Sequence, residues 1–381
     1  MKKSLALPGA GTAFAPGAPR PAPDCPTLDV RFLDAARAQD AKSWLELWEG
    51  WPDREVMAHP RFVRLFARPG DQVVCAAART PSGGVLYPLI VRPIAGEPWA
   101  AGQTRGCDLT AAYGYGGPFA WSVTEAEARA FWAAFDAWAR SRGAISSFAR
   151  LPLFPDQALP FAGEILDRGP NVVRTLDLAE SELRADYAPK VRKNLRRARS
   201  EGVVVGFDPR GRRLDEFLAI YDATMDRRHA LPQYYFPREF FESIVAGLPG
   251  RFLFAHAMAS SKIVSSELIL LSGRRAYFFL GGTLAEYFRL RPNELLKHES
   301  FLFCAGMGLR EFVLGGAYRS EDGVLRYKRA FAPTGELPFR IGVRTYDPDA
   351  VARLVESRRA WERSQGRDWV PAPCFFPPYR S

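Results

Sequence analysis

An internal repeat, offset by roughly 178 residues, restricts how this chain can fold more than any other feature of its sequence. The segment HPRFVRLFARPGDQVVCAAA (59–78) has a spacing of apolar residues similar to that of FPREFFESIVAGLPGRFLFAHA (236–257). Solenoid repeats are much shorter, at roughly 20 to 50 residues. We therefore predict two copies of one α/β domain. In this class of fold, ligands are expected where the sheet splays and in the cleft between the copies.

The order of predicted elements supports the duplication. Apolar periodicity predicts βααββ, a loop, and αβ in the first half, with the loop at the glycine-rich residues 108–118. The second half reads βααβββαβ, and its last strand ends at Leu314. We predict a disordered tail at 1–27, domain 1 at 28–165 and domain 2 at 170–346. A C-terminal extension at 347–381 is expected to pack on domain 1.

Composition limits the classes of function. The 381 residues carry a formal net charge of +10, which suggests an anionic partner or substrate, although an arginine-rich proteome produces the same bias. The five cysteines have no C-x-x-C spacing, and the histidines lack ligand spacing, so we predict no metal site and a reducing, cytoplasmic environment. No run approaches the roughly 18 apolar residues that span a bilayer. The sequence leaves the oligomeric state open.

The segment FVLGGAYRSEDGVLRYKRAF (312–331) is the strongest candidate for an active-site loop, which we place at 315–331. An apolar strand leads into Gly315 and Gly316, where the absence of a Cβ permits a tight turn or the close approach of a ligand. Lys328 follows between apolar neighbours, so its charge is expected in a partly dry site. A cation there would stabilise developing negative charge.

A second cationic feature lies between the halves. Val191, Leu195 and Ala198 form one narrow apolar stripe on a predicted helix. The other positions are mostly cationic, and the candidates for contacts with phosphate are Lys190, Arg192, Lys193, Arg196 and Arg197. A helix that tracks phosphates and a solvated surface with acidic neighbours both remain open.

Other polar residues are candidates because of their setting. Glu267 lies within an apolar strand, where a carboxylate must be paired, protonated or facing a site, and we predict that it is catalytic with Lys328. The predicted substrate-binding residues are Asp108, Tyr113, Tyr115, Arg228, Asn293, His298, Tyr318 and Arg319. Helix capping would explain Asn293 without a function, and His298 fits a structural role as well as that of a base.

Several short motifs resemble those of the FemAB-like group of GNAT-fold transferases, over about residues 28–346. They are YGYGGP (113–118), KVRKNLRRA (190–198), FLGGT (279–283), RPN (291–293), LGG (314–316), DG (322–323) and YK (327–328). The resemblance implies tandem GNAT-like domains of the α/β (α+β) class, each a mixed twisted sheet flanked by helices. It also implies transfer of an acyl or aminoacyl group to an amine, with Lys328 near the carbonyl and the tyrosine-glycine loop holding the acceptor.

The donor and acceptor are only partly constrained by the resemblance. The coenzyme A loop [QR]-x-x-G-x-[GA] is absent, which favours aminoacyl-tRNA over acyl-CoA, and no tightly bound cofactor is expected. The coiled-coil arm of the cell-wall enzymes is also absent, which argues against a lipid-linked peptidoglycan precursor as the acceptor. The acceptor is expected to be a small-molecule, peptidoglycan-linked or sugar-linked amine. One alternative is an acyl-CoA-dependent N-acyltransferase of polysaccharide or natural-product biosynthesis. Another is a non-catalytic nucleic-acid-binding module.

Overall fold

The computed structural model describes residues 28–100, 102, 105–316 and 323–381. The predicted tail, Tyr318 and Arg319 lie outside these residues. Within them, thirteen strands form one sheet, flanked by ten α-helices. The strands are β1 Val30–Asp34, β2 Gln72–Arg79, β3 Gly84–Pro93, β4 Cys107–Thr110, β5 Phe119–Trp121, β6 Ala144–Arg150, β7 Glu164–Thr175, β8 Val204–Asp208, β9 Phe252–Ala259, β10 Lys262–Leu271, β11 Arg275–Thr283, β12 Glu311–Gly315 and β13 Glu336–Thr345. The helices are α1 Ala38–Glu49, α2 Pro60–Arg64, α3 Glu125–Ser141, α4 Glu180–Asp186, α5 Pro189–Ser200, α6 Leu214–Arg228, α7 Arg238–Gly247, α8 Pro292–Gly306, α9 Gly323–Arg329 and α10 Pro348–Ser364.

Each half of the sheet has mixed pairing. Antiparallel pairs join β2 to β3 in the first half and β9 to β10 in the second. Parallel pairs join β4 to β6 and β11 to β12, each across a connection that contains a helix. The predicted α/β tandem architecture, with a mixed sheet and flanking helices in each half, is confirmed.

The two halves meet at a seam made by β13 and β7. The strand order across the sheet is β1-β2-β3-β4-β6-β13-β7-β12-β11-β10-β9-β8, with β5 on β3. β13 pairs with β6 on one side and with β7 on the other, although it follows the second half in sequence. β7 then continues to pair with β12. The domain boundaries stay a prediction, because the strands at the seam join both halves.

A shared core also ties the halves together. Helices of both halves pack on the same face, with Phe62 of α2 lying 6.2 Å from Phe279 of β11, measured between ring centroids. Glu55, from the first half, is buried and receives hydrogen bonds from Arg275 and from the Tyr277 hydroxyl. A buried charge with these partners holds the two halves in register.

The segment after residue 347 packs against the first half. Ala350 and Leu354 of α10 are buried beside Ile94, Trp99 and Ile145. No helix in the described ranges is long and apolar enough to cross a membrane.

Candidate active site

A cavity of about 710 Å³ opens where β11 and β12 separate. These two strands pair over only three positions, from Arg275↔Glu311 to Tyr277↔Val313, after which β11 continues to Thr283 paired with β10 on its other edge. The cavity is lined by Phe278 to Thr283 of β11, by the end of β12, and by the first turn of α8. The splay therefore exposes backbone groups of β11 to a ligand.

Lys328 lies in the wall of this cavity, and 9% of the residue is exposed. Leu325 anchors α9 in the core, one turn before the lysine. The Lys328 ammonium donates a hydrogen bond of 2.5 Å to the Gly316 carbonyl. Gly315 has a φ of 78°, a conformation that side chains disfavour, so the glycine permits the turn that brings the chain beside Lys328.

Glu267 also lines the cavity, but its carboxylate is engaged. Lys297 Nζ forms an ion pair with Glu267 Oε2, and Ser300 Oγ donates a 2.5 Å hydrogen bond to Oε1. Both charged side chains are almost completely buried, and Lys297 Nζ lies 4.0 Å from the Phe278 ring centroid. Burial lowers the pKa of Lys297, and the Glu267 charge opposes that shift.

Lys297 is a cavity residue that the sequence analysis missed. The signal was its position on the apolar face of α8, four residues before the buried Phe301. A lysine at such a position must find a counter-ion or lose its proton.

The tyrosine-glycine loop of the first half reaches the Lys328 turn through Asn171, a second residue without a sequence signal. Tyr115 Oη donates a 3.1 Å hydrogen bond to Asn171 Oδ1. A Cβ on Gly316 would lie 3.2 Å from that same oxygen. Tyr113 is 40% exposed, and its ring lies 6.1 Å from Phe279, which lines the cavity. Both tyrosines thus approach the site from the first half.

The cavity is predominantly cationic. Of the predicted substrate-binding residues, Arg228 and Asn293 line it. The cationic residues in its lining are Arg227, Arg228, Arg291, Lys297 and Lys328, and the acidic ones are Glu267 and Glu294. This balance favours a substrate that carries negative charge.

Two predicted substrate-binding residues lie elsewhere. Asp108 is fully buried between Arg92 and Arg380, at 2.5 and 2.7 Å, and these two charges satisfy its carboxylate. His298 is buried against the Tyr187 hydroxyl at 3.1 Å and Glu180 at 3.3 Å, and burial lowers its pKa. Neither side chain faces the cavity, so the structure places both in packing networks.

The basic helix α5 packs as its stripe predicted. Val191, Leu195 and Ala198 are buried, and Asn194 donates to Glu294 in the first turn of α8, at 2.6 Å. The five candidate cations differ in their engagement. Arg192 donates to the carbonyls of residues 185 and 187, Arg197 pairs with a glutamate at 3.6 Å, and the exposed side chains are those of Lys190, Lys193, Arg196 and Arg197. α5 therefore packs beside the cavity rim through Asn194, and its cationic face is exposed.

Comparison with known proteins bears on the second half and on the fold. Residues 185–329 match the family model described as acetyltransferase (GNAT) domain. FemX superposes with a TM-score of 0.61 at 14% identity, over 83% of this chain and 98% of that chain. L-PGS from Bacillus licheniformis superposes with a TM-score of 0.51 at 13% identity, over 84% of this chain and 96% of that chain. The C-terminal domain of a protein assigned as lysylphosphatidylglycerol synthetase from Agrobacterium fabrum gives the same TM-score, identity and coverages. The sequence has no significant match among curated proteins.

At these identities the structural likeness establishes the fold. The family match covers residues 185–329, in the second half. The cavity, Lys328 and most of the lining residues fall within the matched segment. Residues 185–329 thus match a GNAT acetyltransferase domain, and the chain as a whole has the fold seen in FemX.

Proposed function

We propose that this protein forms an amide bond by transferring an acyl or aminoacyl group to an amine acceptor, in the cavity between β11 and β12. The observation that carries the proposal is the placement of Lys328, a nearly buried ammonium in the wall of that cavity. Attack of an amine on an ester or thioester carbonyl places negative charge on the carbonyl oxygen. A preorganised ammonium stabilises that charge strongly when water is excluded.

The residues divide into two functional groups under this proposal. Lys328 meets the oxyanion, and the Glu267–Lys297 pair fixes the charge distribution behind the Phe278 ring. Tyr113 and Tyr115 hold the acceptor from the first half, while Arg228 and Asn293 contact substrate from the second. The amine must lose a proton during the reaction, and the geometry assigns that proton to no single base.

Aminoacyl-tRNA is the donor that we favour. The exposed cations of α5 form a continuous face whose helix is attached to the cavity rim by the Asn194–Glu294 hydrogen bond. A phosphate backbone that runs along this face would bring an attached aminoacyl ester to the cavity. One structural relative is named for the synthesis of lysylphosphatidylglycerol, a product that carries a lysyl group, and this supports a donor of the aminoacyl class.

Acyl-CoA remains the second candidate because of the first turn of α8. The helix begins at the cavity, and its flanking residue Arg291 has a buried Nε with no hydrogen-bond partner among the described residues. Free N–H groups at a helix start and a guanidinium together suit a diphosphate. The donor can be identified by presenting charged tRNA and acyl-CoA thioesters to the purified protein with a panel of amines, and measuring amide formation.

The test of the catalytic proposal is Lys328→Ala, assayed with the donor so identified. Loss of one oxyanion donor lowers kcat by about 10² to 10³-fold and changes KM much less, because the contact is strongest in the transition state. Lys328→Arg should recover little of the lost activity, since a planar guanidinium does not replace a compact ammonium. A folded Lys328→Ala protein with normal turnover would contradict the proposal. Unfolding curves for both variants separate lost chemistry from lost structure.

A further inference from the structure

Arg150 is the last residue of β6, the strand of the first half that pairs with β13 at the seam. Its guanidinium carbon is 5.7 Å from the ring centroid of Tyr113 and 5.1 Å from that of Phe148. Tyr113 in turn contacts Phe279 in the cavity lining, at 6.1 Å between centroids. Arg150 is therefore separated from the cavity wall by a single, partly exposed aromatic ring.

No carboxylate in the described part of the chain pairs with Arg150. Among those same residues, its guanidinium makes neither an ion pair nor a hydrogen bond, and its contacts are with aromatic rings. The residue is half-buried, and burial lowers the pKa of the guanidinium. The charge of Arg92 acts in the same direction, while the phenols of Tyr113 and Tyr234 oppose the shift. Tyr234 also lines the cavity.

Four other arginines with little exposure are each paired with at least one acid. The pairs are Arg174 with Asp186, Arg275 with Glu55, Arg344 with Asp136, and Arg380 with Asp108 and Glu97. Arg344 is the closest match to Arg150, because it too lies over two aromatic rings, each at 5.2 Å. It differs in having a carboxylate, Asp136, at 2.7 Å.

An uncompensated charge in a partly dry site is costly to the folded protein. A guanidinium in that position binds a carboxylate or phosphate with two parallel hydrogen bonds, and it is more weakly hydrated than an ammonium. We propose that Arg150 binds an anionic group, a carboxylate or a phosphate, of the amine acceptor as it enters between the halves beside Tyr113. This inference rests on the proposed function in so far as it names the ligand as the amine acceptor. The anionic group of the ligand is inferred from the charge and geometry of Arg150.

The binding test uses inorganic phosphate and acetate as probes, titrated by calorimetry at constant ionic strength. Loss of a charge-assisted contact weakens binding by about 10- to 100-fold, so Arg150→Met should lose that much affinity for at least one probe. The affinity of Arg150→Lys should lie between those of the wild type and Arg150→Met, because lysine keeps the positive charge but lacks the planar, bidentate geometry of the guanidinium. Arg344→Met, the matched control, and Lys328→Ala should each retain the Arg150-dependent binding. The probe that loses affinity identifies the anion as phosphate or carboxylate.

Thermal unfolding without probe is the second readout. Arg150→Met removes a charge that has no acid partner among the described residues, so its Tm should equal or exceed that of the wild type. Arg344→Met leaves Asp136 without its partner and should lower Tm. Unchanged phosphate and acetate affinities in both Arg150 variants would overturn the inference, as would a fall in Tm for Arg150→Met equal to that for Arg344→Met. Neither readout needs the transfer reaction, so this test and the Lys328 test can fail separately.

Discussion

Two lysines lie near the ring of Phe278, and they are held in different ways. Lys297 Nζ is 4.0 Å from the ring centroid and is paired with Glu267, whereas Lys328 Nζ is 6.0 Å away and donates to a backbone carbonyl. A carboxylate partner fixes the charge of Lys297 in place. The Gly316 carbonyl orients the ammonium of Lys328, and this arrangement is compatible with the proposed contact to an oxyanion.

The Glu267–Lys297 pair can be tested by a double-mutant cycle. Lys297→Met and Glu267→Gln each leave one buried group without its counter-charge, and breaking a buried pair costs about 3 to 5 kcal/mol of unfolding free energy. The double variant should recover much of that loss, since no charge is then stranded. Urea unfolding of the four proteins measures the coupling.

The same cycle tests the predicted catalytic role of Glu267. If the carboxylate takes part in the chemistry, the refolded double variant should be stable but slow, with the deficit in kcat. Wild-type turnover in a stable double variant would limit Glu267 to a structural role. Ser300→Ala is a suitable control, because it removes one hydrogen bond to Glu267 and no charge.

At the scale of elements, α5 is a helix with a packed stripe and an exposed cationic face. If about three of its cations contact phosphates of the donor, the logarithm of the binding constant should fall with the logarithm of the salt concentration. These contacts should contribute roughly −2 to −3 to that slope. Replacing Lys190, Lys193 and Arg196 by Gln should remove that component in a tRNA-binding titration. Arg192→Gln is the matched control, since its guanidinium donates to backbone carbonyls. An unchanged slope in the triple variant would identify the face as solvated surface.

The start of α2 depends on a histidine that must stay neutral. His59 Nδ1 accepts a 3.1 Å hydrogen bond from the Arg61 amide as the N-cap of the helix. Burial lowers the pKa of His59 from 6.5 to about 4, and Arg61 and Arg251 act in the same direction. The unfolded chain therefore binds a proton between these two pH values that the folded protein does not, so stability falls as pH drops from about 6.5 to 4.

His59→Asn should reduce this acid sensitivity, because asparagine caps a helix without titrating. At 1.36 kcal/mol per pH unit, the folded protein loses at most about 3 kcal/mol through His59 by pH 4, and the variant should lack that part of the slope. Urea unfolding between pH 7 and 4.5 measures it. His229→Asn is the control, since His229 is exposed and adopts a left-handed conformation that asparagine tolerates. Equal pH slopes in the wild type and His59→Asn would contradict the argument.

The sequence predicted local features well and distant partners poorly. Most of the helices and strands, the packed stripe of α5 and the glycine turn before Lys328 follow from patterns within a few residues. Asp108 looked like a loop carboxylate because Arg380, one of the two arginines that neutralise it, lies 272 positions away. Lys297 appeared as one charge on a mixed helix until Glu267, 30 positions earlier, was seen to face it. Whether these residues act on substrate stays a prediction.

At the scale of the whole molecule, the halves are one physical unit. Aromatic residues of α2 and β11 share a core, the Glu55 cluster bridges the halves, and the strands at the seam pair across them. Most elements of each half could be predicted from periodicity, but β4 lies where the loop at 108–118 was predicted, and the pairing of β13 with β6 could not be predicted. Strand neighbours in a sheet are a property of the folded chain, and no local pattern marks which distant strand lies alongside.

The position of β13 also bears on how the protein is made. During synthesis β6 emerges long before its partner, because roughly 190 residues separate Arg150 from Glu336, and at about 5 to 20 residues per second the ribosome needs roughly ten to forty seconds to add them. Through that interval the parallel pair of β4 and β6 carries an unpaired strand edge, the kind of surface on which nascent chains associate. The edge of β6 can therefore be paired only after β13, which follows the second half in sequence, has been synthesised.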